Sequence, residues 1–203
     1  DIRITGLHGV FGVEDIPQWA SIFLSLFTYI VVVNAMNLID GIDGLAAGVG
    51  FIAASVFGVW FIFANEYTMA SLSFSLSGAL LGFLIFNFSP AKIFMGDTGA
   101  LIIGLVCVVL VIKFIELNKI GSTPTPYFFS APAISVAVLI VPIFDSLRVF
   151  FIRILHKESP FKGDRKHVHH RLQELGCGTN KIVIILAFFS ALMILLALLL
   201  QGF

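Results

Sequence analysis

Six long apolar segments constrain the fold of this chain more than any other feature of its sequence. A helix needs about 20 mostly apolar residues to cross a bilayer, and six segments meet that length: 18–38, 44–64, 69–88, 99–117, 132–152 and 181–202. Hydrophobic residues make up 59% of the chain and charged residues only 12%, which excludes an ordinary soluble domain. The sequence therefore predicts an all-α polytopic membrane protein with six transmembrane helices in this chain.

The distribution of basic residues predicts how these helices are oriented. If they alternate in direction, the connections 39–43, 89–98 and 153–180 lie on one side of the membrane. These connections and the adjoining helix ends carry nine of the 12 lysines and arginines, so the positive-inside rule places that side in the cytoplasm. The net charge is zero, which gives no basic field to attract a nucleic acid.

Three polar motifs interrupt the apolar background, and all three fall on the predicted cytoplasmic side. They are NAMNLIDGIDGLAAG (34–48), FNFSPAKIFMGDTG (86–99) and SPFKGDRKHVHHRL (159–172). Convergence of polar loops and helix ends on one face is typical of a binding or catalytic site.

The first motif places carboxylates at the end of an apolar helix. Asn37 and Asp40 are three residues apart and share one helical face. A charged side chain within a membrane costs about 2.5–3.5 kcal/mol on insertion scales, and such residues are usually functional. Gly41 and Gly44 allow the backbone to break and leave Asp43 at the mouth of the site. The structural alternative is that Asp43 caps the next helix.

The second motif places Asp97 at the start of an apolar segment. Its structural alternative is again an ordinary helix cap. In the functional interpretation, the helix N-terminus offers free N–H groups to a phosphate. Magnesium prefers one or two carboxylates together with phosphate oxygens, so this position favours a metal-binding role for Asp97.

The third motif concentrates cationic and histidine side chains, namely Lys162, Arg165, Lys166, His167, His169, His170 and Arg171. Such a run beside a membrane can be an anchor for lipid headgroups. The adjacent His169 and His170 cannot share a helical face, which disfavours a joint metal site. A loop of histidine and arginine that contacts phosphates fits this acid-poor tract better.

Three other functional classes fit the sequence less well. CDP-alcohol phosphotransferases carry D-x2-D-G-x2-A-R followed by further aspartates, whereas here Gly48 replaces the arginine and 49–64 contains no acid. An intramembrane metalloprotease would need H-E-x-x-H or a similar arrangement, and this sequence contains none. A transporter or channel would need charged or broken helices near the bilayer midplane, where this chain carries almost no polar residues.

Taken together, the three motifs resemble the polyprenyl-phosphate N-acetylhexosamine-1-phosphate transferases, glycosyltransferase family 4, over about 34–176. The translocase branch, which uses phospho-MurNAc-pentapeptide, carries three consecutive histidines, whereas Val168 interrupts the histidines here. In this respect the chain resembles the bacterial undecaprenyl-phosphate GlcNAc-1-phosphate transferase branch. The resemblance implies a bacterial plasma-membrane enzyme with a cytoplasmic active site. It would transfer GlcNAc-1-phosphate, or another N-acetylhexosamine-1-phosphate, from a UDP-sugar to undecaprenyl phosphate and release UMP. The product would begin a cell-envelope polysaccharide such as lipopolysaccharide or teichoic acid.

The same resemblance implies how the first two motifs divide the substrates. Asp97 and Asn37 bind Mg²⁺, with Mn²⁺ as the alternative, and Asp40 lies beside that metal site. Asp43 and Phe94 hold the uracil ring of the UDP-sugar.

The resemblance assigns the remaining roles to the basic loop 153–180. Arg165, His167 and Arg171 contact the diphosphate and the sugar. Asp145 and Arg148 either support this loop or form a purely structural ion pair. The residues that the resemblance assigns to catalysis are Asp40, Asp97, His169 and His170.

One departure from the family concerns length. Family members have about ten or eleven spans and an Asp-Asp pair on an earlier cytoplasmic loop, and this chain has no such pair. We therefore expect 1–203 to be the C-terminal portion of a larger transmembrane catalytic domain, without activity when isolated. Whether the protein forms a homodimer stays open.

Overall fold

The computed structural model describes residues 2–9, 12–119, 126–156 and 167–200. Within them the chain is helical apart from short connections and a segment before the first helix, where Gly6 and Asp15 form one antiparallel bridge. The helices in chain order are α1 (Gln18–Leu38), α2 (Leu45–Phe63), α3 (Tyr67–Asn87), α4 (Gly96–Leu117), α5 (Ala131–Val138), α6 (Ile140–Leu155), α7 (Val168–Glu174) and α8 (Thr179–Leu199).

Five of these helices (α1, α2, α3, α4 and α8) are long and apolar enough to cross a membrane. Their ends agree with the predicted segments to within about three residues. The prediction of an all-α polytopic membrane protein is therefore confirmed. The remaining predicted segment, 132–152, is not one straight helix, because α5 and α6 replace it and meet at an angle of 81°.

Pro142 explains where this segment breaks. Proline has no amide hydrogen, and its ring collides with the carbonyl four residues earlier. That carbonyl belongs to Val138, the last residue of α5. The helical hydrogen bonds resume when the Ile143 N–H donates to the Leu139 carbonyl at 3.1 Å, so the chain changes direction at the residue before α6.

Small residues let the helices pack closely. A Cβ atom added to Gly104 of α4 would lie 2.8 Å from Cα of Val33 in α1, so these two backbones approach closely only because Gly104 lacks a side chain. Ser55 of α2 and Ser77 of α3 share a hydrogen bond of 2.8 Å. Small residues and interhelical hydroxyl bonds are typical of packing between membrane helices.

The segment before α1 is attached to the end of the bundle remote from the three motifs. The Thr5 backbone N–H and hydroxyl donate to the Glu116 carboxylate at 2.7 and 2.6 Å. Lys119 contacts Thr5 and forms an ion pair with Asp15. Glu116 lies in the last turn of α4. The N-terminal segment therefore lies at the opposite end of that helix from Asp97 and the three motifs.

Candidate active site

Asp43 lies between α1 and α2 and reaches toward the connection between α3 and α4. Its Oδ2 accepts a hydrogen bond from the Ala91 backbone N–H at 3.3 Å. Gly44 occupies the N-cap position of α2 with φ of 80°, a left-handed conformation that glycine adopts without strain. Asp43 is therefore not the cap of α2, and its carboxylate joins the first motif to the second.

Asn87 connects the same two motifs from inside the protein. This side chain is 4% exposed at the end of α3. Its Oδ1 accepts from the Gly44 backbone N–H at 2.9 Å, and its Nδ2 donates to the Ile93 carbonyl at 2.9 Å. One buried amide thus fixes the entrance of α2 relative to the loop that precedes Phe94 and Asp97.

Asp97 and Phe94 project from the start of α4. The helix begins at Gly96, whose φ is 67°, and Asp97 is its second residue. Asp97 is exposed and, within the described residues, makes no capping hydrogen bond. Phe94 is 78% exposed. The carboxylate and the aromatic ring are therefore both available to a ligand, and the capping alternative for Asp97 does not hold.

Three carboxylates, those of Asp40, Asp43 and Asp97, lie near one another at this end of the bundle. Burial, and next the carboxylates of Asp97 and Asp43, raise the pKa of Asp40 to about 6. Within the described residues, the ion pairs involve none of these three aspartates. A cation in this region would relieve their mutual repulsion.

The donor set fits a hard cation such as Mg²⁺, because carboxylate and amide oxygens are the ligands that it prefers. In the described part of the chain, no three His, Cys, Asp or Glu side chains are grouped closely enough to hold a metal by themselves. A magnesium ion bound by Asp97 and Asn37 would therefore take further ligands from phosphate oxygens or water, as Mg²⁺ commonly does.

The third motif contains the short helix α7, which packs against α6. Asp145 of α6 holds the start of α7, because Asp145 Oδ2 bonds with His167 Nδ1 at 2.9 Å and Oδ1 accepts from the Val168 N–H at 2.8 Å. Arg148 also donates to Oδ1, at 3.2 Å. Of the two alternatives for Asp145, the structure therefore shows contacts that support the loop, and the ion pair with Arg148 is present as well.

His169 brings the third motif into contact with the first. Its side chain is 1% exposed, and a Cβ atom added to Gly41 would lie 2.6 Å from His169 Nε2. Burial, and next the neighbouring His170, lower the pKa of His169 to about 4 despite the opposing effect of Asp145. His169 is therefore neutral at neutral pH and offers one donor and one acceptor rather than a positive charge.

The other predicted residues of the third motif are placed differently. His170 Nδ1 lies 3.2 Å from Gln173 Oε1, and Arg171 donates to Glu174 at 3.0 Å, so both side chains bond along the outer face of α7. Arg165 lies outside the described residues. Among the described histidines and arginines of the third motif, His169 is the one that lies against the first motif.

Comparison with known proteins identifies the family. Residues 1–115 match the family model described as Glycosyl transferase family 4. The chain belongs to glycosyl transferase family 4. The matched range contains the first two motifs, and the predicted resemblance to this family is confirmed.

Three similar family 4 proteins come from different bacteria. A Bacillus subtilis protein named "Probable undecaprenyl-phosphate N-acetylglucosaminyl 1-phosphate transferase" is 37% identical over 83% of this chain and 45% of its own length. The "Decaprenyl-phosphate N-acetylglucosaminephosphotransferase" of Mycobacterium tuberculosis (strain ATCC 25618 / H37Rv) is 38% identical over 88% of this chain and 47% of its own length. The "Undecaprenyl-phosphate alpha-N-acetylglucosaminyl 1-phosphate transferase" of Escherichia coli (strain K12) is 26% identical over 84% of this chain and 46% of its own length. The chain thus spans about half the length of the curated family 4 relatives it matches.

Sequence reasoning missed two residues of this candidate site. Asn87 is a polar residue at the end of an apolar helix, the same signal that singled out Asn37, but its role depends on backbone groups of two separate loops. At Gly41 the sequence indicates only a break in the backbone, whereas in the structure its missing side chain leaves room for the His169 ring.

We expect Asn87→Ala to reduce both the stability and the activity of the full-length protein. The substitution leaves the Gly44 N–H and the Ile93 carbonyl without partners, at a cost of about 1–3 kcal/mol for each buried group. Asn118→Ala is the matched control, because Asn118 is also buried and bonds the Phe114 carbonyl and the Phe128 N–H at the opposite end of the bundle. Thermal midpoints in detergent should fall for both variants, and turnover per folded molecule only for Asn87→Ala. Equal turnover in the two variants would contradict a role for Asn87 in the site.

Proposed function

We propose that this family 4 chain contributes to the active site of an enzyme that transfers an N-acetylhexosamine-1-phosphate, GlcNAc-1-phosphate in the first instance, from a UDP-sugar to undecaprenyl phosphate. An oxygen of the polyprenyl phosphate attacks the β-phosphorus of the UDP-sugar, the bond to the UMP oxygen breaks, and UMP leaves. The product begins a cell-envelope polysaccharide. The names of the curated relatives support the acceptor and the transferred group.

The observation that carries this proposal is the junction of three separate motifs at one end of the bundle. The Asp43–Ala91 bond joins the first motif to the second, and His169 against Gly41 joins the first to the third. Phosphoryl transfer requires positioning and charge neutralisation rather than extensive covalent catalysis. A junction that brings carboxylates, an aromatic ring and a histidine together suits that requirement.

The two substrates are both anionic, so the site must neutralise their charge. Magnesium held by Asp97 and Asn37 beside Asp40, or manganese in its place, would neutralise the diphosphate oxygens when bound. Arg165 and Arg171 of the basic loop contribute fixed positive charge, and the neutral His169 contributes a hydrogen bond.

The nucleoside end of the donor is assigned to Phe94 of the second motif and Asp43 of the first. The exposed Phe94 ring offers a surface on which uracil can stack. Asp43 uses only one carboxylate oxygen in the described contacts, so the other can accept the uracil N–H. The membrane is the bacterial plasma membrane, and the excess of lysine and arginine at this end of the bundle supports a cytoplasmic position for the site.

Separate titrations of uridine and UDP-GlcNAc test this division between the motifs. In the full-length enzyme, His169→Ala and Arg165→Ala should lower turnover of UDP-GlcNAc by roughly 100-fold and leave uridine binding nearly unchanged, because they act on the diphosphate and sugar. Phe94→Ala should weaken both ligands, because each contains the uracil ring.

The result that would contradict this division is equally specific. Loop variants that lose uridine binding as fully as Phe94→Ala would place the loop at the nucleoside. Loop variants that keep full turnover would leave the basic loop as an anchor on the lipid surface.

A further inference from the structure

We infer that Asp145 is a positioning residue, which fixes the start of α7 and thereby holds His169 against the first motif. This inference rests on the proposed function for its meaning in catalysis. Asp145 is 3% exposed in α6, and His169 lies 24 residues further along the chain. The link between them consists of the contacts of Asp145 with His167 and Val168 at the start of α7, and of the His167 ring with the His169 ring.

The first step is that α7 needs an external anchor. It has seven residues, and its own N-cap residue, His167, makes no capping hydrogen bond with its side chain. Isolated helices shorter than about 12–15 residues are marginal in water, so α7 depends on tertiary contacts. Asp145 supplies one at its first residue, because Oδ1 accepts from the Val168 N–H at 2.8 Å.

The second step is that Asp145 also orients the histidine before α7. Its Oδ2 lies 2.9 Å from His167 Nδ1, and an ionised carboxylate can only accept there, so His167 donates from Nδ1. The His167 and His169 rings are parallel within 4°, with centroids 5.7 Å apart. Fixing His167 therefore fixes the turn of α7 that carries His169.

The His169 ring needs contacts that hold it in place, because in the described part of the chain its own polar atoms contribute none. Both ring nitrogens of His169 are buried and, within the described residues, have no hydrogen-bond partner. A buried unpaired polar group costs about 1–3 kcal/mol, so the ring would leave this position unless other contacts held it. Asp145 anchors the start of α7 through His167 and Val168, so the His169 ring stays beside Gly41.

A structural ion pair alone does not account for these contacts. The Arg148 bond to Asp145 is the longest of the three, at 3.2 Å. The two shorter bonds both lead to the start of α7. The carboxylate is thus used mainly to attach the third motif to α6.

Chemical modification of histidines tests the placement without depending on activity. In the full-length membrane protein treated with diethyl pyrocarbonate and analysed by mass spectrometry, His169 should be protected and the exposed His156 should react. In Asp145→Asn, which keeps the side-chain shape but leaves one acceptor oxygen for the two donors His167 and Val168, His169 should become reactive. Asp15→Asn, an exposed aspartate at the opposite end of the bundle, is the matched control and should keep His169 protected.

A kinetic cycle tests the role in catalysis. Asp145→Asn should lower kcat by roughly 10- to 100-fold, because small misplacements of catalytic groups have effects of that size. In a His169→Ala background the same change should cost less than about 2-fold, because residues that act through one another are not additive. If Asp145→Asn does not accumulate in the membrane, His167→Phe breaks the same link and should show the same non-additivity.

The outcomes separate this inference from the proposed function. Continued protection of His169 in Asp145→Asn, unchanged kcat, or losses that simply add to those of His169→Ala would each overturn the positioning role. A wild-type protein that does not turn over UDP-GlcNAc would instead reject the proposed donor, while the modification pattern would still report whether Asp145 positions His169.

Discussion

Asp97→Asn in the full-length protein should abolish the release of UMP from UDP-GlcNAc while leaving membrane insertion intact. Asp97 is exposed at the start of α4, near enough to Asp40 to raise the pKa of that carboxyl. An amide in its place removes one negative ligand from the proposed magnesium site, and the loss should be on the order of 1000-fold. The measurement is UMP release at increasing magnesium concentration.

The control for this substitution is Asp15→Asn at the remote end of the bundle. Asp15 is 79% exposed in its side chain and pairs with Lys119, so the same chemical change there should leave UMP release at the wild-type rate. Near-normal turnover of Asp97→Asn at saturating magnesium would exclude Asp97 as a metal ligand.

Gly41→Ala should reduce turnover by about 100-fold because it displaces His169. The added methyl group would lie 2.6 Å from Nε2 of the His169 ring, which is too close for a real contact, and 3.0 Å from Cε1, which is tighter than most real contacts. The ring cannot move freely, since the His167 and His170 rings are its neighbours, with centroids 5.7 and 4.3 Å away. The conflict should therefore shift α7, and misplacing a catalytic group by about 1 Å can cost this much.

Gly82→Ala is the matched control for the glycine substitution. A Cβ atom added to Gly82 in α3 meets nothing within 4 Å, so turnover should be unchanged and the helix slightly more stable. Full activity in Gly41→Ala would show that the contact between His169 and the first motif has no part in the reaction. An equal loss in both variants would point to a general effect of added methyl groups on the bundle.

The sequence by itself determined the approximate limits of the five long apolar helices, but not the break of the sixth segment into α5 and α6. Apolar runs of about 20 residues cannot remain in water and cannot leave backbone groups unpaired in lipid, so they form helices wherever they occur. It also determined that the three polar motifs share one end of the bundle, because consecutive spans alternate in direction. The Asp43–Ala91 bond and the His169–Gly41 contact confirm that expectation.

Tertiary structure alone decided which polar side chains meet. His169 and His170 are adjacent in sequence, yet one is buried against Gly41 and the other bonds with Gln173 on the outer face of α7. The direction of α7 follows from a hydrogen bond to Asp145 in another helix, and no local pattern encodes that bond. Asn87 likewise acts through backbone groups of two loops that become neighbours only when α2, α3 and α4 have packed. Local composition fixes helices because their hydrogen bonds are local, whereas this site depends on contacts between residues far apart in the chain.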